Sequence, residues 1–207
     1  MKQNTILIAV VALLIGGIGG YMIADKDDYG MNGMDHSMMM SDERNEDRDD
    51  MPMGDMMEMD HSAMMVSSER EFVAGMIPHH QEAVDTANEV LARGGSTPEI
   101  RTLAEEIVLA QEAEIAMLKE WHLAWYGEAY VENGSYQPMM RDLSQLSGAD
   151  LDKRFLQDMI PHHMGAIMMA GSVRPHIEHE EITDMANAIM ETQTAEIELM
   201  RELLTTI

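Results

Sequence analysis

The chain writes one pattern twice. Met76-Ile-Pro-His-His80 returns as Met159-Ile-Pro-His-His163, and Ala83, Ala87 and Val90 return as Ala166, Ala170 and Val173. Further along each copy, Gln111, Ala113, Glu114 and Ile115 return as Gln193, Ala195, Glu196 and Ile197. The apolar positions step by three and four residues, the period of a helix with one buried face. Each copy therefore reads as a helical hairpin. A single hairpin cannot bury its own apolar stripe, but two together can. Duplication thus restricts the chain to an all-α four-helix bundle with a pseudo-twofold axis and one long connection between its halves.

Local signals set the boundaries. Ser68-Glu-Arg-Glu71 matches a capping box and opens the first helix, which stops at Gly94-Gly95. Thr97 and Pro98 open the second, expected to run to about Trp121. The third begins near Asp150 and the fourth near Pro175 or Glu178. The bundle is expected over 67–207, with hairpins at 68–122 and 150–205 and a linker over 127–149. In each copy a proline sits inside a helix, directly before two histidines, at a cost of about 3 kcal/mol. The proline also frees the carbonyl of Ala74 or Gln157, which could hold an imidazole N–H.

Helical placement aims the polar groups at one another. His80 and His163 fall near the centre of their apolar stripes, while His79 and His162 fall to one side, toward a neighbouring helix. Glu114 shares a face with Ile107, Gln111 and Leu118, and Glu196 shares one with Ile189, Gln193 and Met200. All sit near the middle of their helices, so the histidines, Glu114, Glu196, Gln111, Gln193 and the thioethers of Met76 and Met159 can converge at mid-height. Charged groups do not enter a core unpaired. Geometry alone leaves two readings open: a hydrogen-bonded His–Glu–Gln layer that fixes register, or a metal site with carboxamides and carboxylates behind the histidines. His176 and His179 are spaced i, i+3 for a metal, but a solvated helix start is the expected reading. His122, beside Trp121, Trp125 and Tyr126, is expected to pack at the bundle end.

The N-terminal third has a different character. After Lys2 an apolar run reaches Ala24, long enough to span a bilayer and with a poor cleavage signal. Residues 1–24 are expected to be a signal peptide or an N-terminal membrane anchor, with membrane contact only through residues 5–24. The charge placement puts the remainder in the periplasm or at the cell exterior, secreted or anchored. Residues 25–66 have no helical or strand period and read as a disordered arm. Of the 25 methionines, 12 lie between Met31 and Met65. Met34-Asp-His36-Ser-Met38 and Met59-Asp-His61-Ser-Ala-Met64 share one motif. An arm without a core has no packing use for methionine. Soft thioethers instead select Cu(I), with Ag(I) expected to substitute, and histidine adds a borderline nitrogen. There is no cysteine, which excludes thiolate sites, and the net charge of −25 excludes nucleic acid as a partner.

With Met-Ile-Pro-His-His-x-x-Ala followed by Gln-x-x-Glu-Ile, residues 68–204 resemble the domain-of-unknown-function family 305 and, within it, the CopM-like periplasmic copper-binding branch. The resemblance implies a ferritin-like shape, copper binding and copper tolerance. It marks Met76, His79, His80, Met159, His162 and His163. Glu82, Asp85 and Thr86 of the first copy stand where the second has Gly165, Met168 and Met169, so the halves are expected to bind unequally. The leading expectation is a protein that sequesters or shuttles Cu(I) or Cu(II), receiving it from or passing it to a copper exporter or periplasmic carrier, and not an enzyme. The alternatives are a ferritin-like di-metal iron oxidase, although no Glu-x-x-His is present, and an acidic interaction bundle without metal.

Overall fold

The computed structural model describes residues 64–207. The anchor or signal and most of the arm, including Met34, His36, Met38, Met59 and His61, lie outside the described residues. Four helices form the fold: α1 (Glu69–Arg93), α2 (Pro98–Tyr126), α3 (Gly148–Val173) and α4 (Glu180–Leu204), with a 3-10 turn at Arg174–His176 before α4. The described residues contain no strand. No helix among them is long and apolar enough to cross a membrane.

Helix α1 packs on α2 and α3 on α4, and the hairpins meet chiefly through α1 against α3. The core divides into two apolar clusters. One takes Val90, Ile100, Ile107, Phe155, Met159 and Met200; the other takes Phe72, Met76, Leu118, Ala170, Met185 and Ile189. Every helix passes from one cluster to the other. From the order of crossing, α1 and α4 run one way and α2 and α3 the other. The long 127–147 connection is what permits two consecutive helices, α2 and α3, to run parallel.

The helix ends follow the sequence signals with two shifts. Ser68 Oγ accepts from the Glu71 N–H at 3.1 Å, but the Glu71 carboxylate reaches back to Ser67 N–H and Oγ, one residue before the expected partner. Helix α2 continues past Trp121 to Tyr126 and ends at Gly127, whose φ of 73° suits glycine. Helix α4 starts later than expected because the N–H groups of Glu178 and His179 are already committed. Both are donated to Oε2 of Glu69, at 2.7 and 2.8 Å.

That bond has a counterpart. Asp152 of the second copy stands where the first copy has Glu69. Asp152 accepts from Gly95 N–H and Ser96 N–H at 2.6 and 2.7 Å, and from the Ser96 hydroxyl. Each acid, at the start of one hairpin, closes the turn of the other. Gly94 permits the approach, since a Cβ there would stand 2.4 Å from Asp152 Oδ1 and 2.9 Å from Leu151 Cδ2. Burial alone would raise the Glu69 pKa; its bonds to Glu178 and His179 reverse that and lower it. His179 also gives Nδ1 to Glu69 at 2.6 Å and stacks on Trp125 with ring centroids 3.8 Å apart. His122 donates from Nδ1 to the Glu128 carbonyl, 2.8 Å away, and packs edge-on to Tyr126 and Tyr130. These two histidines therefore serve the bundle end.

Candidate metal centre

Between the two apolar clusters lies a polar layer. Its members are His79, His80, Gln111, Glu114, His162, His163, Gln193 and Glu196, all buried. The helical period that buries the stripes carries them inward at the middle of each helix. Pro78 and Pro161 both lie within continuous helices. Neither freed carbonyl receives an imidazole, because the only aligned hydrogen bond of the four rings is from His163 to Glu196.

The inner histidines pair within their own hairpins. His163 Nε2 lies 2.7 Å from Glu196 Oε2 in an aligned hydrogen bond. His80 Nε2 lies 2.8 Å from Glu114 Oε2, at ion-pair distance but without the alignment of a hydrogen bond. Gln111 Oε1 and Gln193 Oε1 are buried with no hydrogen-bond partner. Met76 and Met159, fully buried, pack in opposite apolar clusters on either side of the layer. Their thioethers are therefore not brought to one point. They sit one helical turn before the inner histidines in each copy, and antiparallel packing of α1 on α3 sends these turns in opposite directions.

The outer histidines instead meet across the α1–α3 interface. The rings of His79 and His162 are 3.8 Å apart between centroids, tilted by 35°. Their surroundings differ. His162 Nε2 lies 3.3 Å from Glu82 Oε2. Glu82 also accepts from the Tyr136 hydroxyl and from the N–H groups of Met139 and Met140, each at 2.9 Å to Oε1. Burial alone would push the Glu82 pKa up. The His162 ring, the Tyr136 hydroxyl and the two N–H groups bring it down to about 2.

His79 has no carboxylate partner, and neither of its ring nitrogens makes an aligned hydrogen bond. Burial first, then the nearby rings of His162, His80 and His163, hold its pKa well below that of an ordinary histidine. The ring is neutral, with a lone pair free. Gly165 stands where the first copy has Glu82, so the carboxylate that His162 meets has no counterpart beside His79. Two thioether side chains approach instead. A Cβ built on Gly165 would stand 3.1 Å from His79 Nε2, 3.3 Å from Met64 Sδ and 3.4 Å from Met139 Cε.

Among the described residues no group of three or more His, Asp or Glu side chains is arranged to hold a metal ion. The potential donors around Gly165 and His79 are a second imidazole and sulfur, a set suited to a soft ion. Of the arm residues singled out by sequence, Met64 is the one the structure describes, and it lies here. Sequence reasoning missed Tyr136 and Met139. It marked the exchange of Glu82 for Gly165 between the copies as a source of unequal binding but gave neither residue a role.

The chain is similar to several solved proteins. It is 30% identical to CopM in a Cu(I)-bound form, with a TM-score of 0.62, over 68% of this chain and 98% of that one. CopM is also known in a Cu(II)-bound form, with 30% identity and a TM-score of 0.61 over 69% of this chain and 99% of that one. A DUF305 fragment from Deinococcus radiodurans is 29% identical, with a TM-score of 0.59 over 69% of this chain and 99% of that one. Among curated proteins none matches the chain. The model of the domain of unknown function DUF305 matches residues 21–122 and again 69–204. These matches lie on the two copies whose histidines build the centre, and the chain belongs to the DUF305 family.

Proposed function

We propose that this is an extracytoplasmic copper-binding protein that takes up Cu(I) between His79 and His162, with the Met64 thioether as a third donor, and that it binds rather than transforms its cargo. The observation that carries the reading is the buried His79 ring, with no carboxylate and no aligned hydrogen bond at either nitrogen, facing His162 and close to a sulfur at the space left by Gly165. A buried imidazole with no hydrogen bond is costly unless something else occupies its lone pair. Copper and silver in CopM support the choice of ion. Donor softness supports Cu(I): imidazoles and thioethers are neutral, polarisable ligands, and the Glu82 carboxylate lies beside one of them.

The methionine-rich arm would supply faster-exchanging sites, and the bundle a slower one from which an exporter or carrier draws. The apolar run before Ala24 fits an extracytoplasmic setting, and thioethers, which cannot form disulfides, stay usable as ligands there.

The test is a Cu(I) titration against a chromophoric chelator, using the full chain, a H79A/H162A variant, and a chain lacking residues 31–63. The double variant is expected to lose one equivalent and the truncation to lose others. Unchanged stoichiometry in the double variant would refute the bundle site; unchanged stoichiometry on truncation would refute the role of the arm.

A further inference from the structure

Resting on that reading, we infer that Met139, on the connection between the hairpins, supplies a second sulfur, so that the bundle site is His79, His162, Met64 and Met139. Its methyl Cε already reaches the space in front of Gly165, where Met64 Sδ and His79 Nε2 also meet. The sulfur is one bond from that methyl, on an unbranched stem with three rotatable bonds, so it turns toward the ion without any movement of the backbone.

The connection around Met139 is built to hold still. Three of its groups, the Tyr136 hydroxyl and the Met139 and Met140 N–H, are donated to Glu82. Arg141 Nε meets Asp158 Oδ1 at 2.9 Å, and the Arg141 N–H meets Oδ2 at 3.1 Å. Further on, Arg93 donates to the Leu143 carbonyl at 3.1 Å. Met140 turns away and packs on the cluster that contains Met159. Of two adjacent methionines with similar backbone anchoring, one fills core and one faces the site.

Glu82 then has a double task. One carboxylate orients His162, an imidazole donor, and the backbone of Met139, a sulfur donor. It is a positioning residue that sets the distance between a nitrogen on α3 and a thioether on the connection. Two imidazoles and two thioethers around one ion select soft cations.

The experiment is Ag(I) titration of the full chain carrying 13C-methyl-labelled methionine, with Met64, Met139 and Met140 assigned by single leucine substitutions. The Met139 and Met64 methyl signals are expected to shift together at the same equivalent, while Met140 does not. M139L, a near-isosteric change, is expected to weaken Cu(I) binding at this site by more than the ~10-fold typical of losing an outer partner, while M140L leaves it unchanged. If the Met64 methyl responds and the Met139 methyl does not, the second sulfur is refuted and copper binding stands. If neither responds, both readings fall.

Discussion

The two halves of this molecule share a motif but not a task. In the second half, His162 is held by a carboxylate, Glu82, that the first half supplies. In the first half, His79 faces Gly165 of the second and has no carboxylate. The twofold that relates the hairpins brings both outer histidines to one interface, and a single difference, glutamate against glycine, makes one of them an anchored donor and the other an open one. Duplication followed by that divergence produces one asymmetric site from two similar halves. A strictly symmetric pair would give either two carboxylate-bound rings with no room between them, or two open rings with no carboxylate to orient either.

The sharpest way to break this comparison is to restore the symmetry. G165E places a second carboxylate where Met64 and Met139 approach His79, and is expected to weaken Cu(I) binding in the bundle by about 100-fold, the upper range for disturbed metal surroundings. Competition with a chelator measures it, and a helical circular dichroism spectrum confirms folding.

The reciprocal caps are next. D152A strands the Gly95 and Ser96 N–H groups and is expected to destabilise the fold by about 3 kcal/mol. E69A is expected to cost a similar amount, because it strands the equivalent pair. Urea denaturation of both variants checks whether the halves are equivalent in structure while unequal in binding.

A smaller effect is expected from E82Q, which keeps the shape but removes the charge: Cu(I) affinity falls by about tenfold. G165A is expected to fall between E82Q and the wild type, since its Cβ crowds His79 Nε2 by only a few tenths of an ångström.

The mildest probe is pH. Glu82 titrates near 2 in the fold against 4.5 when unfolded, so its contribution to stability is complete above 4.5 and is lost as pH falls from 4.5 toward 2. His79 and His162 are depressed below the usual 6.5 in the fold. The unfolded chain therefore takes up protons first as pH drops below 6.5, and the metal-free protein weakens. Denaturation midpoints at pH 7.5, 5.5 and 4 are expected to fall in that order, with H79Q flattening the upper step.

The sequence was most informative where a period existed. The apolar steps of Phe72, Met76, Ala83 and Val90 and of their repeats located the four helices. The same periodicity placed His79, His80, Gln111, Glu114 and their counterparts in the interior. What escaped it were relations between helices. Nothing in the pattern of α1 states that it will cross α3 antiparallel, so the meeting of His79 with His162, the reach of Glu82 to His162 and the separation of Met76 from Met159 could not be read from any one helix. The connection has no period at all, and Tyr136 and Met139 stayed hidden in it. Glu69 and Asp152 stand at matching positions of the two copies, but an acid near the start of a helix is ordinarily explained by the helix dipole, which masked their long-range role.

The exchange of acids between Glu69 and Asp152 carries a lesson about inheritance. A hairpin cut from this chain would lack the group that finishes its own bend, and it would carry a group meant for another. Two separate strands of polypeptide, one for each hairpin, should consequently remain disordered apart and reconstitute the bundle when mixed. Such mutual dependence keeps the copies together as a unit of selection, leaving each free to drift at the cargo face while neither can be lost.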